Sequence, residues 1–522
     1  MTTPVLEREG ARVGGVTQTS VSASCRTNAD GVDLFLDVYA NPGLTNLVAS
    51  SAAQSLAAAN NYTATCTVSG LSPGRRYYWR MRAQGSGGAS EEAVGVEPLT
   101  ANSFKTLPEK AGPSWKVALS GCWHEWQNTR NEDNRAIQSD VIRKMVAQDY
   151  LLHFPIGDIG YIDAYPDLNG GLTNLYAPGN SVQYVFDGSL SAADFLGGAR
   201  TNFYSTFDAF AEDTDGLNIL MANTPQVPML DDHDWGRNNR FAHEHYGNVN
   251  IQNAIESTHE AAHEVLMDLN QSHLESSSHG GSYDFETNSK NNTTSPIEYF
   301  VIDVAPVRFA VIDVRSFRDP PGTADTSSKT MLGSVQKQWL KDRIDDNPHP
   351  FFVLVSSVMG DGDHTWDPGL PLGSQDTWKG YSNEWLEILD YIRSNGDASR
   401  TVIFSADTHA GAVLKYAGAN GELTPIYEVS TSNMWKNTAG GNHDYLTGMS
   451  SEIGKRPGSG EAANASGHGA TLEFMRIFNN NFTEIEAGPG YMQVTMIEAR
   501  QGPVDSYEGP QPLRRVWSRR WQ

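Results

Sequence analysis

Chemically reactive side chains follow four short apolar runs of this sequence, each at the point where the run stops. Cys122 follows WKVALSG, Asp158 follows YLLHFPIG, Asp231 follows NILMANTPQVPML and Asp407 follows TVIFSA. Such runs are typical of buried strands, and in open α/β sheets functional groups collect just beyond the strand ends. We therefore expect the four endings to meet, with the Cys122 sulfur and the Asp407 carboxylate less than roughly 15 Å apart.

The residue types at these endings suit a centre of two metal ions. A carboxylate such as Asp158 can give one oxygen to each of two cations about 3.5–4 Å apart, with a hydroxide held between them. Asp407 and His409, one residue apart on an extended segment, point the same way. Cys122 and Tyr161 would bind as thiolate and phenolate, which favours a strongly charge-withdrawing ion such as ferric iron.

His233 lies in the acidic run Asp231–Asp234. The flanking carboxylates can hold its tautomer, so its imidazole is placed to donate a proton to a leaving group. Taken singly, these endings have simpler explanations, because Gly-Asp after a strand is usually a turn and a buried Cys is usually a small core residue. Four such endings together favour a metal centre.

Six motifs in the stretch of about residues 115–435 are characteristic in combination. They are GD-x-x-Y at Gly157–Tyr161, DDHDWGRNN at Asp231–Asn239, VIDVRSFRD around Asp313–Arg315, LGSVQKQWL at Leu332–Leu340, DTWKGY at Asp376–Tyr381 and SADTHAG at Ser405–Gly411. With them the chain resembles the alkaline phosphatase D (PhoD-like) enzymes of the metallophosphoesterase superfamily. The resemblance implies a four-layer αββα sandwich and a phosphate-ester hydrolase of the alkaline phosphatase or phosphodiesterase type.

The resemblance also implies an iron–calcium centre. Ferric iron would be held by Cys122, Asp158, Tyr161 and His409. One or two calcium ions, or other divalent metals, would be served by Asp158, Asp407 and either Asp232 or Asn238. His233 and Asn238 would face the phosphoryl group. A bridging hydroxide would attack phosphorus in line while His233 protonates the leaving alkoxide.

Two positions depart from the superfamily pattern. Cys122-Trp123-His124 stands where the first motif is usually Asp-x-His, so ligation by His124 stays open. VLVSSVMG has no His at the usual mid-chain position, although His364 can take its place. Spacing also leaves open whether Asn238 or Asn239 is the ligand.

Length and charge restrict the class of function. The chain of 522 residues has 38 basic and 62 acidic side chains, a net charge of −24. This charge argues against nucleic-acid binding, which needs a basic face.

No apolar run reaches about 18 residues, so no membrane span is expected. We expect a small-molecule phosphate ester as substrate, and the mono-, di- or triester class and the oligomeric state stay open.

The N-terminus, MTTPVLEREG, shows neither an apolar signal region nor a twin-arginine motif. This predicts a cytoplasmic protein by default, or a periplasmic or secreted one if a signal was removed.

Residues 1–108 predict a β-sandwich domain of the fibronectin III or immunoglobulin type, followed by a catalytic domain at 109–522. In the strand RYYWRMRA, Tyr77, Trp79 and Met81 alternate with polar residues and would face inward. The spacing of Leu71, Pro73-Gly74 and Tyr77 is similar to the tyrosine corner of such sandwiches. The chain has three cysteines, so at least one is free. Cys25 and Cys66 fit either a disulfide or two buried thiols.

The catalytic part alternates strands with helices. EDNRAIQSDVIRKMVAQ has a helical stripe at Ile137, Val141 and Met145 between the Cys122 and Asp158 strands, and Arg135 or Arg143 on it could reach phosphate. YFVIDV and VRFAVIDVR predict an antiparallel hairpin. Ser382 is predicted to cap a helix that stops at Asn395-Gly396.

Three other features have competing interpretations. His259–His263 is an HExxH zinc-protease motif, but Leu266 stands where that motif continues with Gly, and a single zinc lost in His263→Ala would favour it. A non-catalytic surface-binding protein using the sandwich domain would leave the four strand endings unexplained. The C-terminal LRRVWSRRWQ fits either a strand or helix docked on the body by Val516, Trp517 and Trp521 or a source of positive charge near an anionic substrate.

Overall fold

The structure is a computed structural model of the 522-residue chain. It describes residues 11–26, 31–56, 63–85, 91–94, 102–110, 112–122, 142, 145–158, 217–232, 299–321, 323–361, 376–408, 410–418, 421–431, 470–476, 480–499 and 513–522. Within these ranges, no helix has both the length and the apolar character needed to cross a membrane.

The N-terminal strands form two antiparallel sheets. The strands are β1 (Arg12–Gly14), β2 (Ser20–Arg26), β3 (Val32–Tyr39), β4 (Leu47–Ser50), β5 (Gln54–Ser55), β6 (Thr63–Ser69), β7 (Arg76–Gly85), β8 (Glu91–Val94) and β9 (Asn102–Lys105). One sheet has the order β1-β2-β6, and the other has the order β4-β3-β7-β8 with β5 on β3 and β9 on β7. The two sheets share one buried apolar cluster, as a sandwich requires.

The inward residues of β7 and the tyrosine corner are as the sequence predicts. Tyr77, Trp79 and Met81 are buried, and the Tyr77 hydroxyl accepts a hydrogen bond from the Ser72 backbone N–H at 2.9 Å. Cys25 and Cys66 are buried and do not form a disulfide. They are out of register, because Cys25 pairs with Ala64 across the ladder. Burial raises the pKa of the Cys66 thiol to about 11.

The remaining strands form two mixed sheets. They are β10 (Trp115–Ser120), β11 (Leu152–Pro155), β12 (Phe300–Val304), β13 (Val307–Val311), β14 (Phe351–Val355), β15 (Thr401–Ser405), β16 (Gly411–Tyr416), β17 (Ile426–Thr431), β18 (Ala470–Arg476), β19 (Asn480–Gly488), β20 (Tyr491–Ala499) and β21 (Leu513–Trp521). The five-stranded sheet has the order β11-β10-β19-β20-β21, and the seven-stranded sheet has the order β12-β13-β14-β15-β17-β16-β18. Strands β12 and β13 form the predicted antiparallel hairpin.

Three helices have both ends within the described residues: α1 (Leu217–Asn223), α2 (Gly333–Asp345) and α3 (Ser382–Asn395). Short 3₁₀ helices lie at Trp378–Tyr381 and Ala398–Arg400. The inner faces of the five- and seven-stranded sheets bury one continuous core. The outer face of the seven-stranded sheet packs on α2 and α3, where Leu340, Trp385 and Leu389 are buried. The parallel pairs β10–β11 and β14–β15 therefore bring their carboxyl ends to the same region between the layers.

Two local predictions were wrong. The run Asn218–Leu230 is not one strand: it is α1 followed by an extended segment. Pro225 and Pro228 lack the N–H groups that a continuous ladder needs, and a short apolar run cannot be distinguished from a buried helix by periodicity. Ser382 is the first residue of α3 rather than its cap. The side chain of Asp325 accepts from the Ser382 N–H instead, at 3.0 Å.

The predicted helix between β10 and β11 is described only in part. Ile142 and Met145 are helical and buried, whereas Ile137, Val141, Arg135 and Arg143 lie outside the described residues.

The arginine-rich C-terminus forms β21, which pairs with β20 at the edge of the five-stranded sheet. Trp521 is buried with its ring 6.0 Å from that of Tyr427, and Arg519 lies over the Tyr427 ring. Tyr427 pairs with Val402 near the start of β15. Since Asp407 follows β15 by two residues, Arg519 contacts the end of the sheet opposite to Asp407. The C-terminus is therefore docked on the body, and it is a strand rather than a helix.

The buried His153 makes stability depend on pH. Burial lowers its pKa from 6.5 to about 4, so below pH 6.5 the unfolded chain binds a proton that the folded chain does not. We expect the free energy of unfolding to fall by about 3 kcal/mol from this group as the pH drops through that window. For His153→Gln, the free energy of unfolding measured by urea denaturation should depend less steeply on pH between pH 6.5 and pH 4 than it does for the wild type. An unchanged slope would contradict this origin.

Candidate metal centre

The strand ends meet at one buried cluster of ligand atoms. The Cys122 sulfur and one carboxylate oxygen from each of Asp158 and Asp407 lie within 4.8 Å of one another. Asp231 and Asp232 join Asp158 and Asp407 in a second group that meets the same limit. The Cys122 Sγ lies 3.4 Å from Asp158 Oδ2. All five side chains are buried. The Cys122 sulfur and an Asp407 oxygen, within 4.8 Å of each other, are far closer than the limit of roughly 15 Å that the sequence led us to expect.

The backbone is strained where three of these side chains leave their strands. Cys122, Asp158 and Asp407 have φ values of 56°, 57° and 56°, in the left-handed region that L-residues avoid. Each such residue costs of order 1–3 kcal/mol and persists only when the surroundings fix it. Strain repeated at three converging strand ends indicates a functional site rather than ordinary turns.

Two glycines allow the strand ends to approach closely. A Cβ at Gly121 would lie 2.7 Å from the Ala406 Cβ, and a Cβ at Gly157 would lie 2.4 Å from the Asp231 Cβ. Gly157 also has φ +73°, which favours glycine. These two positions explain why a glycine precedes both Cys122 and Asp158.

A fully buried arginine binds most of the carboxylates. The Arg315 guanidinium pairs with Asp231, with Asp376 Oδ2 at 2.7 Å and with Asp407 Oδ2 at 3.4 Å. Its Nη2 lies 3.7 Å from Asp232 Oδ1. Arg315 and Asp376 thus join the site, although the sequence assigned them no role. The sequence shows the motifs that contain them, VIDVRSFRD and DTWKGY, but it does not show that these two residues pair across the fold.

Further contacts fix Asp231 and Asp376. Ser357 donates its hydroxyl to Asp231 Oδ1 at 2.8 Å. Arg318, also fully buried, pairs with Asp376. Asp231 belongs to one of the six motifs but was absent from the predicted ligands, because neighbouring acids in one run cannot be ranked without their tertiary contacts.

Among the described residues, the carboxylates of this site outnumber the arginines that pair with them. Burial, followed by repulsion from Asp232 and Asp231, holds the pKa of Asp407 well above its usual range. Burial and Asp232 raise the pKa of Asp231 to about 6, although Arg315 opposes this. Burial also works against ionisation of Asp376, but Arg315 and Arg318 lower its pKa overall.

This donor set fits multivalent metal ions. A thiol with several carboxylate oxygens offers both soft and hard ligands, and a cation placed among them would remove the repulsion that raises the pKa values of Asp231 and Asp407.

The other predicted site residues lie outside the described residues. They are Arg135, Tyr161, His233, Asn238 and His409, together with the open candidates His124, Arg143, Asn239 and His364 and the HExxH motif at His259–His263.

Gly157 allows a direct test of the close approach. Gly421 is a matched control, because its φ of +72° is close to the +73° of Gly157 and a Cβ added there would have no atom within 4 Å. We expect Gly421→Ala to cost about 1–2 kcal/mol from backbone strain alone. Gly157→Ala should cost about 1–3 kcal/mol more from overpacking against Asp231 and should purify with less metal. Equal unfolding free energies and equal metal contents would contradict the packing argument.

Comparison with known proteins identifies the family of this chain and supports its fold. A sequence model of the PhoD-like phosphatase family matches residues 139–496. The solved structure of PhoD is 16% identical, with a TM-score of 0.70, and the match covers 100% of this chain and 91% of that chain. This likeness shows that the two share a fold, and it agrees with the predicted sandwich.

A second solved structure, the sensor domain of the anti-sigma factor RsgI4 of Pseudobacteroides cellulosolvens, is 14% identical over 21% of this chain and 99% of that chain. Its TM-score of 0.14 is too low to carry an argument. The comparison with curated proteins found no match. The family match spans more than half of the sequence, and we conclude that the chain belongs to the PhoD-like phosphatase family, a family of hydrolases of phosphoric esters.

Proposed function

We propose that this phosphatase hydrolyses small-molecule phosphate esters at an iron–calcium centre built on Cys122, Asp158 and Asp407. The observation that supports the proposal most is the group of buried ligand atoms, a thiol and carboxylate oxygens within 4.8 Å of one another. Thiolate ligation favours a transition metal, whereas carboxylates alone would favour calcium or magnesium. A centre of one transition metal and calcium uses both the thiolate and the carboxylate ligands.

The proposed ligands follow the motifs of the sequence. Iron would be held by Cys122, Asp158, Tyr161 and His409, and calcium by Asp158, Asp407 and either Asp232 or Asn238. When bound, the two ions supply a hydroxide nucleophile and offset the negative charge of the phosphoryl oxygens.

The chain's own residues have three proposed roles. Arg315 orients the Asp231 and Asp407 carboxylates through its hydrogen bonds to both, so that they need not reorganise when a cation enters. His233, directly after Asp232, protonates the leaving alkoxide. Asn238 and Arg135 bind the equatorial phosphoryl oxygens.

We extend the proposal to monoesters and diesters alike. A diester has one phosphoryl oxygen fewer to bind than a monoester and needs room for a second substituent. The shape of the loops around the site therefore decides the ratio of diester to monoester turnover. A panel of a mono-, a di- and a triester assayed with the same purified enzyme tests this directly. Turnover of both the monoester and the diester is expected, and failure to hydrolyse either of them would contradict the proposal.

A ferric–tyrosinate from Tyr161 predicts a visible charge-transfer absorption. We expect the purified enzyme to be coloured and Tyr161→Phe to lose this band together with most of the bound iron. Metal analysis by mass spectrometry and an absorption spectrum measure both. A colourless, fully active enzyme whose Tyr161→Phe variant keeps its iron would rule out the assignment.

Asp158 is the proposed bridging ligand, so Asp158→Ala should lose both metals at once. Activity should fall by more than about 100-fold, beyond the effect of losing a residue that only orients a ligand. Asp303→Ala is a suitable control, because Asp303 forms an ion pair with Arg308 on the β12–β13 hairpin, outside the ligand cluster. If Asp158→Ala keeps its metals and its activity, the bridging role is refuted.

A further inference from the structure

Asp231 and Asp232 reach the site on a segment that belongs to no sheet. Residues 224–230 pair with β11 and its end through the isolated bridges His153–Gln226 and Ile156–Met229. Three backbone hydrogen bonds lie on this side: Val227 N donates to His153 O at 2.8 Å, Met229 N to Pro155 O at 3.0 Å and His153 N to Pro225 O at 2.9 Å. Since Pro225 and Pro228 have no N–H, the segment cannot form the complete hydrogen-bond ladder of a full strand.

The N-terminal sandwich holds the same segment from its other side. Trp79, buried on β7, donates its indole N–H to the Ala222 carbonyl at 3.0 Å. The Ser103 N–H on β9 donates to Asn223 Oδ1 at 3.2 Å. The Gln226 N–H donates to the Val13 carbonyl on β1 at 3.0 Å. Three different strands of the sandwich therefore fix the end of α1 and the residues that follow it.

Gln226 joins the sandwich to the strands that carry the ligands. Its side-chain oxygen lies 2.7 Å from His153 Nδ1, and His153 Nε2 lies 2.7 Å from Ser120 Oγ at the end of β10. The Gln226 side chain is buried. Gly121 and Cys122 follow Ser120, so a single hydrogen-bonded chain runs from β1 through Gln226 to the Cys122 strand.

We propose that the N-terminal β-sandwich, predicted at residues 1–108, positions the metal centre by fixing the segment that carries Asp231 and Asp232. The positioning residues are Trp79 on β7 and Asn223 at the end of α1, and both lie outside the described group of ligand atoms. The inference rests on the proposed function only in taking Asp231 and Asp232 to face the metal ions. A shift of α1 would move these two carboxylates relative to Asp158 and Asp407, which sit on separate strands.

The test compares two chemically identical substitutions. Trp79→Phe removes the N–H that binds the Ala222 carbonyl. Trp115→Phe removes a buried indole N–H that binds the Ala305 carbonyl at 2.9 Å, at the start of β10 and thus at the strand end opposite to Cys122. Both variants should lower the melting temperature to a similar degree. Only Trp79→Phe should weaken Ca²⁺ binding to the metal-depleted full-length protein, by about tenfold in calorimetric titration, and lower kcat with little change in KM.

Asn223→Ala provides a milder second variant, because Asn223 is only half-buried and its loss removes the contact to Ser103. It should shift Ca²⁺ affinity in the same direction, and it carries the test if Trp79→Phe does not fold. Wild-type Ca²⁺ affinity and kcat in the folded variants would overturn the inference. Failure of the wild-type protein to bind any metal would instead overturn the proposed centre, so the two failures are distinguishable.

Discussion

Several carboxylates are buried within 4.8 Å of one another, and their mutual repulsion is the constraint that the rest of this structure must satisfy. Isolated buried charges cost several kcal/mol each, so such a cluster needs compensating cations or the uptake of protons. Arg315 supplies part of the compensation from inside the protein. The raised pKa values of Asp231 and Asp407 indicate that it does not supply all of it. The remaining charge is what a metal centre would neutralise, in line with the proposed iron–calcium pair.

The fold explains how distant residues meet at this point. Two mixed sheets pack face to face, and the parallel strands in each bring their carboxyl ends to the same region. Gly121 and Gly157 then let the layers approach at distances that any side chain would prevent. Left-handed turns at Cys122, Asp158 and Asp407 aim the side chains inward. Cys122, Asp158 and Asp407 therefore lie within three residues of the ends of buried strands, which favours a preorganised site.

The parts of the fold that the sequence predicted depend on local patterns. Apolar runs that end at Gly or Asp predicted β10, β11 and β15, and the spacing around Tyr77 predicted a tyrosine corner, in which the Tyr77 hydroxyl accepts from the Ser72 N–H. The missed features depend on contacts between distant residues. Arg315 binds Asp231, 84 residues away, and Asp325 caps a helix that begins 57 residues later. No single-sequence pattern encodes such pairs, since each partner alone resembles an ordinary surface charge.

The most direct measurement is anomalous diffraction from crystals of the protein purified without chelators, recorded on both sides of the iron absorption edge. We expect an iron peak in contact with the Cys122 sulfur and Asp158, and a second cation shared by Asp158 and Asp407. Crystals of active enzyme with no cation between these side chains, or with the metals bound elsewhere in the chain, would contradict it.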